Sequence, residues 1–130
     1  MTTSSRPDHV AFEHAMRLPS DAQVVEELAG ILGEPLTAVV GGVTEVRAVR
    51  GWIDGSRAIK NPDKADRLRF ALYIASFIAR CESPAAAQAW MQGLNPQLGD
   101  KSAVMLLRNG NLDEVGPEIA AAARAFIVGG

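Results

Sequence analysis

Apolar residues recur along this chain at steps of three and four, the period of amphipathic helices, and seldom alternate as strands require. Val24, Leu28, Ile31 and Leu32 form one such stripe. Ser20 with Gln23 three residues on is a capping-box pattern that opens it, and Gly33 closes it. Glu34 to Val40 is predicted as a short helix with Pro35 in its first turn, ended by Gly41-Gly42. Thr44 is expected to cap the next helix, whose stripe is Val46, Val49, Trp52 and Ile53 and whose stop is Asp54-Gly55-Ser56. Asn61-Pro62, followed by acidic Asp63, opens the longest helix, which runs to about Arg80. Its stripe is Leu68, Leu72, Ala75, Phe77, Ile78 and Ala79; Tyr73 and Ile74 widen it, as suits a helix with neighbours on several sides.

The remaining punctuation is equally plain. Ser83-Pro84 repeats the cap-then-proline device for a helix ending near Gln92 and carrying Trp90 and Met91. Gly93-Leu94-Asn95-Pro96 is a turn. Ser102 to Arg108 is a short helix stopped by Asn109-Gly110, and the last helix runs from about Leu112 to Val128, dented near its start by Gly116-Pro117. At the other end, Met1 to Arg6 is predicted to be disordered, and Pro7 to Leu18 to form a short helix with Val10, His14 and Arg17 along one side. The fold class expected is all-α: a helix-turn-helix-like bundle joined by a long helix to a small C-terminal helical domain. The divisions are 1–19, a flexible N-terminus holding the short helix; 20–82, the helix-turn-helix-like region; and 83–130, the C-terminal domain.

Composition narrows the function classes. The 130 residues are 48% hydrophobic but only 5% aromatic, which favours closely packed helices over a β-sandwich. The net charge of −2 argues against a generic polyanion binder. A single cysteine, Cys81, excludes an internal disulfide and fits a reducing compartment. The polar start lacks the apolar core of a leader, and no apolar run spans a bilayer, so a cytoplasmic protein without membrane contact is expected.

No catalytic or metal constellation stands out. His9 and His14 lie five apart, wrong for a helical zinc pair, and are expected on the surface. Gly41-Gly42 lacks the Lys-Ser/Thr of a phosphate loop. Neither an enzyme, a metal nor a cofactor is expected.

Leu36 to Gly55 has the outline of a helix-turn-helix, with Val49 and Trp52 as core anchors and Arg47 and Arg50, beside Glu45, pointing outward. Seven basic residues fall between Thr44 and Arg69, among them Arg57, Lys60, Lys64, Arg67 and Arg69; with four acids this stretch nets +3, leaving −5 elsewhere. A basic face on an acidic chain is a plausible DNA footprint, with Arg47, Arg50, Arg57 and Lys60 as its contacts. The alternative is a degenerate module retained for packing or dimerisation.

From Ala89 onward the order of motifs becomes distinctive: Trp90, then Asn95-Pro96 with Leu98, the short helix Ser102 to Leu107, Gly110, Val115, and a last helix ending Arg124-Ala125-Phe126. This order resembles the toxin-binding domain of the Xre/MbcA/ParS antitoxin family. Upstream, Val49 to Gly55 with Trp52 resembles that family's helix-turn-helix, and Arg67 to Tyr73 its linking helix, so the resemblance covers about Val24 to Gly130. Two departures are that Ala103, not proline, follows Ser102, and that the turn in the DNA-binding part is longer. The resemblance implies a partner, a RES-domain toxin that degrades NAD, and a mechanism in which the C-terminal end blocks the toxin's active site.

The residues are compatible with that role. Phe126, Ile127, Val128, Gly129 and Gly130 form a chargeless end; Phe126 suits a pocket, the glycines a narrow cleft, and Arg124 an acid on the partner. The alternative is that Phe126 and Ile127 cover this protein's own core. Trp90, Trp52, Asn95 and Pro96 are expected to be structural. A homodimer is expected, through the apolar face of the long helix Pro62 to Arg80, because such DNA-binding modules read paired half-sites. The runner-up to the antitoxin is a stand-alone transcriptional regulator, and a third reading is an interaction module that binds neither toxin nor DNA.

Overall fold

The computed structural model describes residues 6–129, and the disorder expected for residues 1–5 lies outside them. Eight α-helices follow one another: α1 Pro7–Arg17, α2 Asp21–Leu32, α3 Glu34–Val40, α4 Val46–Asp54, α5 Pro62–Cys81, α6 Pro84–Gln92, α7 Ala103–Asn109 and α8 Leu112–Gly129. A 3-10 turn, Pro96–Leu98, precedes α7, and an isolated bridge joins Asn95 to Lys101. The described residues form no strands, so the fold is all-α. No helix among them is long and apolar enough to cross a membrane.

Local chemistry accounts for the helix starts. Ser20 Oγ accepts from Gln23 N–H at 3.2 Å, Asn61 Oδ1 from Asp63 N–H at 2.8 Å, and Ser83 Oγ from Ala86 N–H at 3.0 Å. Each satisfies one of the amides that a helix N-terminus leaves orphaned. The cap expected at Thr44 is absent: Glu45 takes the position with extended backbone and no side-chain bond to the helix. Pro117 sits inside α8 near its start, as the sequence suggested, and the helix continues through it.

α5 is the centre of the molecule. Residues 71–78 are all buried, and α1, α2, α6 and α8 pack around them. A helix enclosed on every side needs apolar residues all round, which is why its stripe is so broad. The buried side chains of every helix join one cluster, so segments 1–19, 20–82 and 83–130 meet in a shared core. The dimer surface expected on the apolar face of α5 is therefore occupied by this chain's own helices.

α1 also departs from expectation. Described from Arg6 onward, this end is a packed helix, not a loose one: Ala11 and Ala15 are fully buried against α5, and Val10 and Arg17 face solvent. His14, expected on an open surface, is half-buried, with Nε2 2.6 Å from Glu27 Oε1 on α2.

Three arginines fasten these elements by donating to carbonyls that helix C-termini leave unpaired. Arg69 Nη1 donates to Ala15 O at 2.6 Å and Leu18 O at 2.9 Å, closing the end of α1. Arg67 Nη1 donates to Leu107 O at 3.3 Å and Arg108 O at 2.9 Å in α7. Arg108 Nη1 in turn reaches Val39 O at 3.1 Å and Val43 O at 3.2 Å, at the end of α3 and in the turn after it.

Candidate interaction surfaces

The first surface lies where α6 meets the end of α8. Met91 faces inward and is fully buried, which leaves Trp90, one residue earlier, half-exposed on the flank of α6. Its ring tilts 40° against that of Phe126, with centroids 6.3 Å apart. The turn after α6 is tied tightly. Asn95 Oδ1 accepts from Gln97 N–H, Asn95 O from Asp100 N–H and Lys101 O from Asn95 N–H, all at 2.9 to 3.1 Å. That knot leaves Leu94 projecting, 77% exposed. Ala86, Ala89, Trp90, Leu94 and Phe126 line a shallow cleft of about 380 Å³, and no charged side chain lines it.

The C-terminal residues proposed from the sequence do not share one face. Phe126, 36% exposed, turns toward α6; Ile127 packs partly against the core; Val128 stands out at 88% exposure. Arg124 is exposed, and two residues on a helix put it about 160° round the axis from Phe126. It lies beside Tyr73 instead, where its charge opposes the burial that pushes the Tyr73 hydroxyl above its ordinary range. Gly129, expected in a loose slim tail, is the last helical residue; Gly130 lies outside the described residues.

The second surface is basic. α4 buries Ala48, Val49 and Trp52 and exposes Arg47 and Arg50. Glu34 on α3 holds Arg50 through both nitrogens, Nε at 3.1 and 3.2 Å and Nη2 at 3.0 Å, which raises the guanidinium pKa further and offsets its charge. α4 ends at Gly55, whose φ of 82° is left-handed. Hydrogen bonds from Ser56 hold the Asp54 carboxyl below the usual carboxylate range. Arg57 N–H then returns to Gly51 O at 3.0 Å, setting the Arg57 side chain between two clefts of about 490 and 310 Å³. Lys60 and Lys64 line the larger with Trp52, and Arg47 the smaller. Lys64 Nζ rests 5.5 Å from the Trp52 ring centroid, within cation–π range.

This corrects the basic count. Arg67 and Arg69 are spent on backbone carbonyls and Arg50 is paired, so the outward strip is Arg47, Arg57, Lys60 and Lys64. No family model, curated protein or solved structure matches the chain.

Sequence reasoning missed a further cleft, about 390 Å³, where the N-termini of α5 and α8 meet. Asp63, Asp66 and Asp113 line it together with Arg67. These residues lie up to fifty positions apart, so no local pattern signals their meeting. Among the described residues no three His, Cys, Asp or Glu side chains are grouped to hold a metal ion.

Proposed function

We propose that this protein is the antitoxin of a toxin–antitoxin pair, docking on an NAD-degrading RES-domain toxin through the end of α8 and the adjoining edge of α6. The observation that carries the reading is the neutral apolar cleft between α6 and α8, where exposed Leu94 stands beside the Trp90–Phe126 stack. Exposed apolar groups clustered beside a concave, neutral cleft are what a protein partner buries, and large aromatics serve as anchors at the centre of such contacts. The order of motifs from Trp90 to Phe126 supplies the identity of the partner.

The anchor differs from the one expected from sequence. Phe126 is braced by Trp90 and partly covered, while Leu94 and Val128 are the freely projecting side chains. The test is the NAD turnover of a RES-domain toxin, assayed with added antitoxin. Wild-type protein suppresses turnover, and Leu94→Asp with Val128→Asp relieves the suppression while circular dichroism stays unchanged. Full suppression by the double variant refutes the docking surface.

A second reading, a stand-alone transcriptional regulator, is favoured by the strip Arg47, Arg57, Lys60 and Lys64. It requires salt-sensitive binding to upstream DNA with no dependence on Leu94 or Val128. An antitoxin that represses its own operon would use both surfaces, and their separation on the molecule makes the two activities separable by mutation.

A further inference from the structure

α1 is packed inside out. It turns its small residues, Ala11 and Ala15, into the core and leaves Phe12 45% and Met16 39% exposed, one helical turn apart on the same flank. A helix that only covered α5 would bury its largest apolar groups, since each fully buried side chain of that size contributes roughly 1.5–3 kcal/mol. Phe12 is held in place by the edge of Tyr73 at 5.2 Å between centroids, and Tyr73 by Phe70 at 5.6 Å, so the strip has a firm aromatic base. Beside it Glu13 and Arg17 form a solvent-exposed pair at 3.1 Å.

We propose that this strip is a self-association surface, on which α1 of a second copy of the chain lies antiparallel. Its charges are self-complementary in that arrangement. A two-fold axis at the level of His14 sets Phe12 over Met16 of the partner and Met16 over Phe12. It also brings Glu13 within about two residues' rise, ~3 Å along the axis, of the partner's Arg17, and the reverse. Each residue then meets its complement twice, as an isologous contact requires. α1 is only 11 residues long, about 16 Å, so the contact is smaller than that of a permanent dimer and the association is concentration-dependent. The surface is built from α1 residues, none of which lines the α6–α8 cleft.

The experiment is sedimentation velocity on the full chain from about 1 µM to about 1 mM, the range in which weak association is resolved. The wild type is expected to pass from monomer to dimer within that range. Glu13→Arg, which places four like charges at the contact and touches no buried group, is expected to raise the dissociation constant at least tenfold. Arg17→Glu added to it restores the opposite-sign arrangement and should return the constant to near the wild-type value. Phe12→Ser with Met16→Ser should abolish the dimer, with unfolding followed by circular dichroism to exclude loss of fold. A monomer at every concentration overturns the proposal. So does a dimer indifferent to Glu13→Arg, or one that the charge reversal fails to restore.

Discussion

Gly41 and Gly42 are adjacent glycines with different jobs, and substitution separates them. Gly41 has an ordinary φ of −73°, so its backbone suits any residue. A Cβ there, however, would lie 2.8 Å from both Cη2 and Cζ3 of Trp52 and 3.3 Å from Thr37 O. Carbon atoms in contact normally stay near 3.5–4.0 Å, and the Trp52 ring, 4% exposed, is hemmed in by the core. Overpacking of this kind typically costs ~1–3 kcal/mol, against which Ala returns ~0.4–1 kcal/mol by restricting the unfolded chain. Gly41→Ala is therefore expected to destabilise by about 1–2 kcal/mol, lowering Tm by roughly 3–8 °C for a chain of this size. Gly42 is the reverse: φ is +73°, and the nearest atom to an added Cβ is Arg67 Nη2 at 4.0 Å. Its alanine variant suffers backbone strain alone, about 1 kcal/mol, and Gly42→Asn less, since Asn tolerates left-handed backbone.

The assay is urea unfolding of Gly41→Ala, Gly42→Ala and Trp52→Phe, and of each glycine change combined with Trp52→Phe. Phenylalanine lacks the two ring atoms that the new Cβ meets, so the double-mutant cycle should show at least ~1 kcal/mol of coupling for Gly41 and none for Gly42. A neutral Gly41→Ala, or additivity with Trp52→Phe, refutes the reasoning. The result bears on function because this turn, pressed against Trp52, sets the angle at which α4 presents Arg47.

Three further predictions concern the basic residues and their partners. Arg108→Met keeps the aliphatic stem but strands Val39 O and Val43 O without their donor; a charge-assisted bond of this kind contributes ~1.5–3 kcal/mol, so an unfolding free energy lowered by about that amount is expected in urea titration, and an unchanged value contradicts the clamp. If the basic strip contacts DNA, Arg47→Ala and Lys60→Ala should each reduce the slope of log affinity against log salt by about one, measured by fluorescence anisotropy on the upstream duplex. Glu34→Ala releases Arg50 from its pair and should tighten that binding; no gain would mean that Arg50 does not face the duplex.

Helix positions were legible because their signals are local. Ser20, Asn61 and Ser83 each announce a start within three residues, and Gly33 and Gly110 each mark an end. The cap assigned to Thr44 failed because cap preference is weak beside the packing that sets where α4 begins. The destinations of Arg67, Arg69 and Arg108 were invisible, since their carbonyl partners lie 40 to 69 residues away and an arginine bound to backbone looks in sequence like one bound to solvent. The inverted packing of α1 was hidden for a related reason. Its stripe of Val10, His14 and Arg17 is periodic, but the contact with α5 is close enough to admit only alanines. At the candidate partner surface, the apolar character of Phe126 to Val128 was legible. Their division among three faces, and the support Trp90 gives Phe126, depended on where α6 lies.

If the end of α8 and the edge of α6 bind a protein partner, hydrogen–deuterium exchange on this protein, alone and in complex with a RES-domain toxin, locates the contact. Amides in a terminal helical turn open easily in the free protein, so a docked partner should slow them strongly. Protection is expected to concentrate in residues 89–98 and in the last two turns of α8, with α4 and the 55–61 loop unchanged. Protection confined to α4 and that loop, or no complex at all, would contradict it.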